Sequence, residues 1–328
     1  MHDHAVAVDI GGTKITAALV RLDSDNEGNH VASQNPLIRI VADRDEWTQK
    51  TPHSGSQAVC NAVVNIVNSV LQFARQNNMS IRGIGIGSAG VVDADGRKIV
   101  SATDAIPGWA GTALADTVEQ ATSIETIVEN DVHAHARGEM TSGAGSQADS
   151  ALMVAIGTGI GGAMVVGGEI LRGAHGLGGH VGHILVPGAE NEKCSCGGKG
   201  HLEAIASGPG MVQMFRSKGE DARNAVELEQ QANEGNLKAK AVIEKAAAAT
   251  GAIIAGLANS FDPEIVILGG GVARAGQIYW KPLKAAYQAQ LMPTIAETPI
   301  VPAKLGTKAA LLGAAALVQK RIQWSTGR

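Results

Sequence analysis

A chain of 328 residues, 45% hydrophobic and 18% charged, can bury a large core and is long enough for two domains. A net charge of -4 gives no general basic footprint for nucleic acid, and the opening Met-His-Asp-His-Ala has neither the basic nor the apolar stretch of a leader. With no uninterrupted apolar span of about 20 residues in view, the expectation is a cytoplasmic protein with no membrane and no nucleic-acid partner, and 42 glycines against 3% aromatic residues suggest tight strand-to-loop transitions and close backbone approach to ligands.

In chain order, Ala5 to Asp9 reads as a short apolar strand that runs into Ile10-Gly-Gly-Thr-Lys14 and a second strand from Ile15 to Leu22. An acid at a strand end followed by Gly11, Gly12, Thr13 and Lys14 fits a phosphate-binding hairpin. The glycines let backbone amides approach phosphate oxygens, and Asp9 could hold a magnesium ion through water. The spacing of a Walker loop is absent, and the segment alone reads equally well as a plain β-turn. Residues 23–53 are polar and fit loops plus one strand near Leu37 to Val41. From Ser56 to Asn77, Val59, Val63, Ile66, Val67, Val70 and Leu71 recur at helical spacing, which predicts an amphipathic helix over the first sheet with Cys60 as a core thiol. Ile81 to Ile86 is a strand leading into Gly87-Ser-Ala-Gly-Val-Val-Asp93, and Ser101 to Trp109 reads on its own as a surface turn before a helix.

Thr126 to Asp131 is a strand with a polar end, followed by a helix from Val132 to Thr141. Asn130 and Asp131 at that strand's C-terminal edge fit either a helix cap or an acid placed to accept a hydroxyl proton and aim the oxygen at phosphorus. His133 and His135 lie two apart and share no helix face, which argues against a second metal site there. Ala151 to Ile156, then Gly157-Thr-Gly-Ile-Gly-Gly162, then Ala163 to Val166 repeat the strand, glycine turn and strand of residues 5–22. Gly157 to Gly162 also matches a dinucleotide fingerprint by spacing, but apolar and β-branched residues follow where that motif needs a helix. Two such units imply two similar halves with a nucleotide between them, Gly157, Thr158, Gly159 and Gly161 cradling the other phosphates.

The stretch Gly178-Gly-His-Val-Gly-His183 and Cys194-Ser-Cys-Gly-Gly-Lys-Gly-His-Leu-Glu203 concentrates metal ligands. His183, Cys194, Cys196 and His201 could close a tetrahedral zinc site with no open position, hence a structural one. The other readings are a reduced cysteine pair among core histidines, or a Cys-x-Cys disulfide, which would close a strained three-residue loop. Further on, Leu202 to Phe215 and Ala222 to Glu234 read as helices polar enough to sit outside, and Leu237 to Ser260 as a long alanine-rich helix. Glu264 to Leu268 is an apolar strand whose following glycines, Gly270 and Gly271 among them, let a flat base lie against backbone. Lys308 to Val318 is a helix returning to the first domain, and Trp324 to Arg328 a frayed tail.

The cysteine run resembles the zinc signature of the ROK family of sugar kinases and related repressors, usually Cys-x-Cys-Gly-x-x-Gly-Cys-x-Glu. Here His201 replaces the third cysteine, and His180 stands where most members have a glutamate three residues before the zinc histidine. Gly-His-x-Gly-His, followed by Glu203-Ala-Ile-Ala-Ser-Gly208, is the form that bacterial N-acetylmannosamine kinases tend to carry. The resemblance spans Asp9 to Gly313 through five motifs in order. It implies an α/β fold of two ribonuclease-H-like domains of the actin, Hsp70 and sugar kinase superfamily with an inter-domain cleft. The expected division is 1–120 plus about 305–328 for the first domain and 121–304, with the zinc loop, for the second.

The resemblance further implies ATP-dependent phosphorylation of a sugar 6-hydroxyl, with N-acetylmannosamine the expected acceptor and glucose or N-acetylglucosamine the alternatives. Asp131 becomes the catalytic base, and Mg²⁺ bridges the phosphates. The sugar would meet Ser88, Gly90, Asp104, Asn130, His180, His183 and Glu203, Asp104 standing where asparagine is usual. Asp9, Gly11, Gly12, Thr13, Lys14, Gly157, Thr158, Gly159, Gly161, Gly270 and Gly271 would hold ATP and Mg²⁺, while structural Zn²⁺ sits on His183, Cys194, Cys196 and His201. The expected partners are small-molecule sugar and ATP within a homodimer or homotetramer. A repressor of the same family would need a DNA-binding segment ahead of the first phosphate motif, which begins within the first ten residues.

Overall fold

The computed structural model describes residues 2–22, 38–103 and 105–325 of the chain, which forms two compact units. In the first unit, β1 (Asp3–Ile10) and β2 (Lys14–Leu22) form a hairpin, and β3 (Ile38–Lys50) pairs with β2. Then come α1 (Ser56–Gln76), β4 (Ser80–Ser88), the short pair β5 (Val91–Val92) and β6 (Ile99–Ser101), α2 (Leu114–Thr122), β7 (Thr126–Asn130) and α3 (Asp131–Ser142). The sheet order is β3-β2-β1-β4-β7, with β4 parallel to both β1 and β7.

In the second unit, β8 (Ala151–Ile156) and β9 (Ile160–Val166) form another hairpin extended by β10 (Glu169–Ile170). Helices α4 (Leu202–Ala206), α5 (Gly208–Arg216), α6 (Ala225–Asn233) and α7 (Leu237–Phe261) follow, then β11 (Ile265–Gly270), α8 (Gln277–Gln290) and β12 (Ile300–Pro302). Its order, β10-β9-β8-β11-β12, reproduces the first sheet strand for strand, including the two parallel pairings on the far side of the hairpin. The internal echo read from the sequence is therefore a structural repeat, and a strand, β9, follows Gly157 to Gly159 where a dinucleotide fold would place a helix. The last helix, α9 (Ala309–Ser325), belongs to the first unit.

Side-chain size explains how the first sheet is covered. Val6 and Val8 of β1 join α1 residues Val59, Val63, Val67 and Val70 in one cluster, whereas Ala5 and Ala7 point the other way into a cluster with Leu311, Ala314 and Val318 of α9. Small residues on that second face let α9 lie almost on the backbone: a Cβ at Gly85 would collide with the Ala314 carbonyl. The same economy joins α9 to α3, where Gly313 meets the Ala134 carbonyl and Gly138 meets that of Ala309. This close crossing fixes the N-terminus of α3, and with it Asp131, at the end of β7.

Several expectations change. The first unit runs to Gln147 rather than 120, because β7 pairs with β4 and α3 packs on α9; residues 172–177 also belong to it, and the second unit begins at Ala148. The strand expected near Leu37 to Val41 is a 13-residue strand with two register shifts, Ile38–Lys50. The helix expected over 202–215 breaks at Ser207, whose hydroxyl caps α5 by accepting from Gly210 N, and its inner face is buried rather than outside, with Leu202, Ile205, Met211 and Phe215 in the core. Leu228 of α6 is equally buried. The terminal helix continues through Trp324 to Ser325, and 326–328 lie outside the described residues. Two helices, α1 and α7, are apolar and long enough by composition to span a bilayer, contrary to expectation; half of each apolar window is buried in the protein, as core helices are.

Candidate active site and metal centre

In the first unit, the C-terminal ends of β1, β4 and β7 lie side by side, with Ile10 opposite Ser88 and Ser88 opposite Asn130. This edge gathers Asp9, Ser88, Gly90, Asn130 and Asp131. The β1–β2 turn is closed by Gly11 N donating to the Lys14 carbonyl at 3.0 Å. Thr51, just past β3, ties it down by donating its hydroxyl to Gly11 O at 2.6 Å and its N–H to Thr13 O at 3.0 Å. Burial pushes the Asp9 carboxyl up to about 6, the nearby Asp131 adding to the rise while His135 and Lys14 oppose it.

Asn130 caps α3, its Oδ1 accepting from Val132 N at 3.0 Å and His133 N at 3.1 Å. Its Nδ2 donates to Gly90 O at 2.9 Å and to Asp131 Oδ1 at 3.0 Å. An amide offers two donors and two lone pairs, so all its capacity is engaged within the protein. Asn130, expected among the sugar ligands, holds Asp131 and the Gly90 turn through its side-chain amide. Asp131 is the first residue of the helix, where the positive end of the peptide dipole favours an anion. Its Oδ1 also accepts from Val132 N at 2.9 Å. Burial still wins and raises its pKa above the usual aspartate range, with His135 as the main opposing charge. Of the two readings of the Asn-Asp pair, the helix cap is Asn130's, and Asp131 is left as a buried acid at the head of the helix.

Four side chains at this edge, His135, Glu129, Arg137 and Arg172, are not singled out by the sequence for such a place. His135, one turn into α3, has Nδ1 at 2.8 Å from the Asp131 carbonyl, so that nitrogen carries a proton and the ring faces the carboxylate pair. Glu129 is buried beside Asn130 and paired with Arg137 at 2.9 Å and with Arg172. Burial alone would raise its pKa, but the two guanidinium groups hold it at about 2. With Asp93, Asn130 and His133, Glu129 and Arg172 line a small polar pocket. The Ser88 side chain, expected at the sugar, is wholly buried, and its Oγ accepts from Trp109 Nε1 at 3.1 Å. Asp104 lies outside the described residues.

In the second unit, Gly157, Thr158 and Gly159 form the turn between β8 and β9, closed by Gly157 N donating to Gly159 O at 2.9 Å. Gly208 N, at the start of α5, donates to Gly157 O at 2.8 Å. Gly270 has φ +75° and lies against Ile156 backbone that a Cβ would strike, so β11 and β8 can end together only with glycine there. Beside them a cavity of about 540 Å³ opens between Gly157, Thr158, Gly208, Gly271 and Tyr279. Its volume lies in the range of small-molecule sites. Apolar Met211, Val212, Ile243 and Val272 supply much of its wall and Glu229 a fixed acceptor, one oxygen of which takes the Gly276 N–H at 2.7 Å.

The zinc candidates also converge in this unit. His183, Cys194, Cys196 and His201 bring their donor atoms within 4.8 Å of one another. Cys194 Sγ lies 3.7 Å from His183 Nδ1, and Cys196 Sγ lies 3.2 Å from His201 Nδ1. Tetrahedral zinc with bonds of about 2.0–2.3 Å needs donors roughly 3.3–3.8 Å apart, so these two pairs lie near the required spacing and the widest separation in the set, up to 4.8 Å, would close slightly around an ion. Gly197, at φ +87°, and Gly200, at φ +77°, turn the backbone round the donors, and a Cβ at Gly198 would press on the His201 ring at 2.6 Å. His180 precedes this centre on the same loop, its ring stacked 6.3 Å from that of His183. Glu203, in the first turn of α4, accepts from Ile160 N at 2.8 Å and from the Ser195 hydroxyl.

A sequence profile of the ROK family matches residues 5–321. Glucokinase from Halalkalibacterium halodurans is 30% identical over 332 residues, covering 96% of this chain and 95% of its own length. N-acetylmannosamine kinase from Escherichia coli is 31% identical over 316 residues, with 96% and 98% covered. Among solved structures, a ROK family glucokinase from Streptomyces griseus in complex with glucose and AMPPNP superposes with a TM-score of 0.75 at 29% identity, over 97% of this chain and 99% of that one.

Proposed function

Because the chain belongs to the ROK family and is a sugar kinase, we propose that it uses ATP to phosphorylate the 6-hydroxyl of an N-acetylhexosamine, N-acetylmannosamine before N-acetylglucosamine. The observation that carries the chemistry is Asp131: Asn130 and Val132 fix its Oδ1 while burial raises its affinity for a proton. Its Oδ2 then takes the 6-hydroxyl proton as the sugar oxygen bonds to the γ-phosphorus and the bridging oxygen leaves with ADP. Asp9 would hold Mg²⁺ through water, and that ion would neutralise charge on the phosphates. The turns at Gly11 to Thr13 and Gly157 to Gly159 would supply backbone amides to the same charge. The cavity beside Gly271 would take the base. His183, Cys194, Cys196 and His201 would hold a structural Zn²⁺, which would keep the loop bearing His180 in place.

His180 supports the amino-sugar preference. A glutamate can only accept hydrogen bonds from hydroxyls, whereas a neutral imidazole donates one bond and accepts another, which suits an N-acetyl carbonyl at C2. Glucose has only a C2 hydroxyl, set closer to the ring than the N-acetyl carbonyl, and would pair that donor poorly, at a cost of about 1–3 kcal/mol, or roughly 5- to 150-fold in kcat/KM. A coupled ADP-release assay with N-acetylmannosamine, N-acetylglucosamine and glucose should give that order, and His180→Glu should move the preference toward glucose. Glucokinases match the chain as broadly as the N-acetylmannosamine kinases do. A higher kcat/KM for glucose in the wild type would favour that second reading.

The raised carboxylates set a pH dependence. Asp9 and Asp131 act only when ionised, and His135, His133 and Lys14 are the charged or titratable groups facing them. Raised values move the loss of the ionised form upward in pH, so kcat/KM for MgATP should fall as pH drops through about 6. A profile flat down to pH 5 would contradict this.

A further inference from the structure

We propose that Ser195 and Glu203 form a positioning link through which the metal loop holds the second phosphate turn in its nucleotide-binding shape. The inference deepens the reading above and rests on it. Ser195 lies between the two candidate cysteine ligands and its hydroxyl donates to Glu203 Oε1, which also lies 3.7 Å from Cys194 Sγ. The other oxygen of the same carboxylate accepts from Ile160 N at 2.8 Å, the first residue of β9 after the turn. One buried-edge carboxylate thus bonds the loop on one side and the turn on the other, and its lone pairs suit both bonds at once.

The neighbouring packing makes the link stiff. A Cβ at Gly159 would lie 2.8 Å from Glu203 Oε2, so a side chain there would push the carboxylate from its place against the turn. The segment that carries Glu203 also grips the turn a second time, through Gly208 N to Gly157 O at 2.8 Å. On the other flank, Gly182 of the His180–His183 loop fits under the Ile160 carbonyl with no room for a side chain. Disorder in the metal loop would free Ser195 and let Glu203 swing, and the Ile160 amide would lose its acceptor. The expected cost falls on phosphate binding, because the amides of Thr158 and Gly159 are aimed by this turn.

Calorimetric titration of AMPPNP and Mg²⁺, without sugar, tests the proposal. Ser195→Ala should still bind one zinc per chain but bind AMPPNP roughly three- to tenfold more weakly, the scale of one partly exposed charge-assisted bond. Ser195→Thr, which restores the hydroxyl, should recover wild-type affinity. Removing zinc from the wild type should weaken AMPPNP at least as much, and Ser195→Ala should add nothing further once zinc is gone. A purely structural role would lower the melting temperature of Ser195→Ala and leave nucleotide affinity unchanged. Unchanged affinity in zinc-loaded Ser195→Ala, or losses that simply add, would overturn the link alone. No AMPPNP binding by the wild type would overturn both the link and the kinase reading beneath it.

Discussion

Asp131→Asn should lower turnover with saturating MgATP and sugar by roughly two or more orders of magnitude, while the sugar affinity measured by calorimetry stays within a few-fold of wild type. The substitution keeps the shape, and an amide oxygen can still accept from Val132 N, as Oδ1 does at 2.9 Å. What disappears is the one anionic acceptor for the hydroxyl proton at the head of α3. The remaining catalysis would come from phosphate positioning alone, which the turns at Gly11 and Gly157 would still supply. Activity within a few-fold of wild type would remove Asp131 as the base. An equal loss of sugar affinity would instead make it a binding group.

The second large effect is expected at the metal centre. Metal analysis of the purified protein should find one zinc per chain, and His201→Ala or Cys194→Ala should lose it together with most of the kinase activity and much of the thermal stability. Structural zinc sites contribute apparent binding energies of about 10–16 kcal/mol in small peptides, so losing one of four donors costs more than any single surface contact. The loop from Val181 to His201 would depend on the ion because it has little regular structure of its own: one short 3-10 turn and two isolated bridges, Leu185 with His201 and Lys193 with Lys199. A protein that lacks zinc yet is fully active, or a His201→Ala protein with full zinc and stability, would remove this ligand set.

The parts of the fold legible in the sequence were those with a local signature. The two strand–glycine–strand units declare themselves because buried strands read as apolar runs and the turns need glycine, and the two sheets repeat in the same order. The convergence of His183, Cys194, Cys196 and His201 was legible because donors of these types at short spacing are what a tetrahedral metal site would need. Less legible was whatever depends on long-range neighbours. Nothing local in Glu129, Arg137 and Arg172 announces that they meet, and Thr51 reaches the first phosphate turn only because β3 is paired in register with β2. Helix α8 has Pro282 inside it, at a point where local rules favour an end, and β12 is only three residues long. The boundary between units was misplaced because β7 looks like the start of a new element series, although it completes the first sheet. Nor does anything local announce that the Asn130 amide bonds Gly90, Asp131, Val132 and His133 at once.

The central claim, transfer of the γ-phosphoryl group to a sugar 6-hydroxyl with Asp131 as base, is tested most directly by the product itself. Wild-type protein incubated with MgATP and N-acetylmannosamine should yield ADP and one phosphosugar whose phosphorus couples, by nuclear magnetic resonance, to the two protons on C6. The same incubation with Asp131→Asn should give no detectable product in that time. Phosphorus coupled to the proton on C1, or ADP released with no phosphosugar from N-acetylmannosamine, N-acetylglucosamine or glucose, would contradict the account.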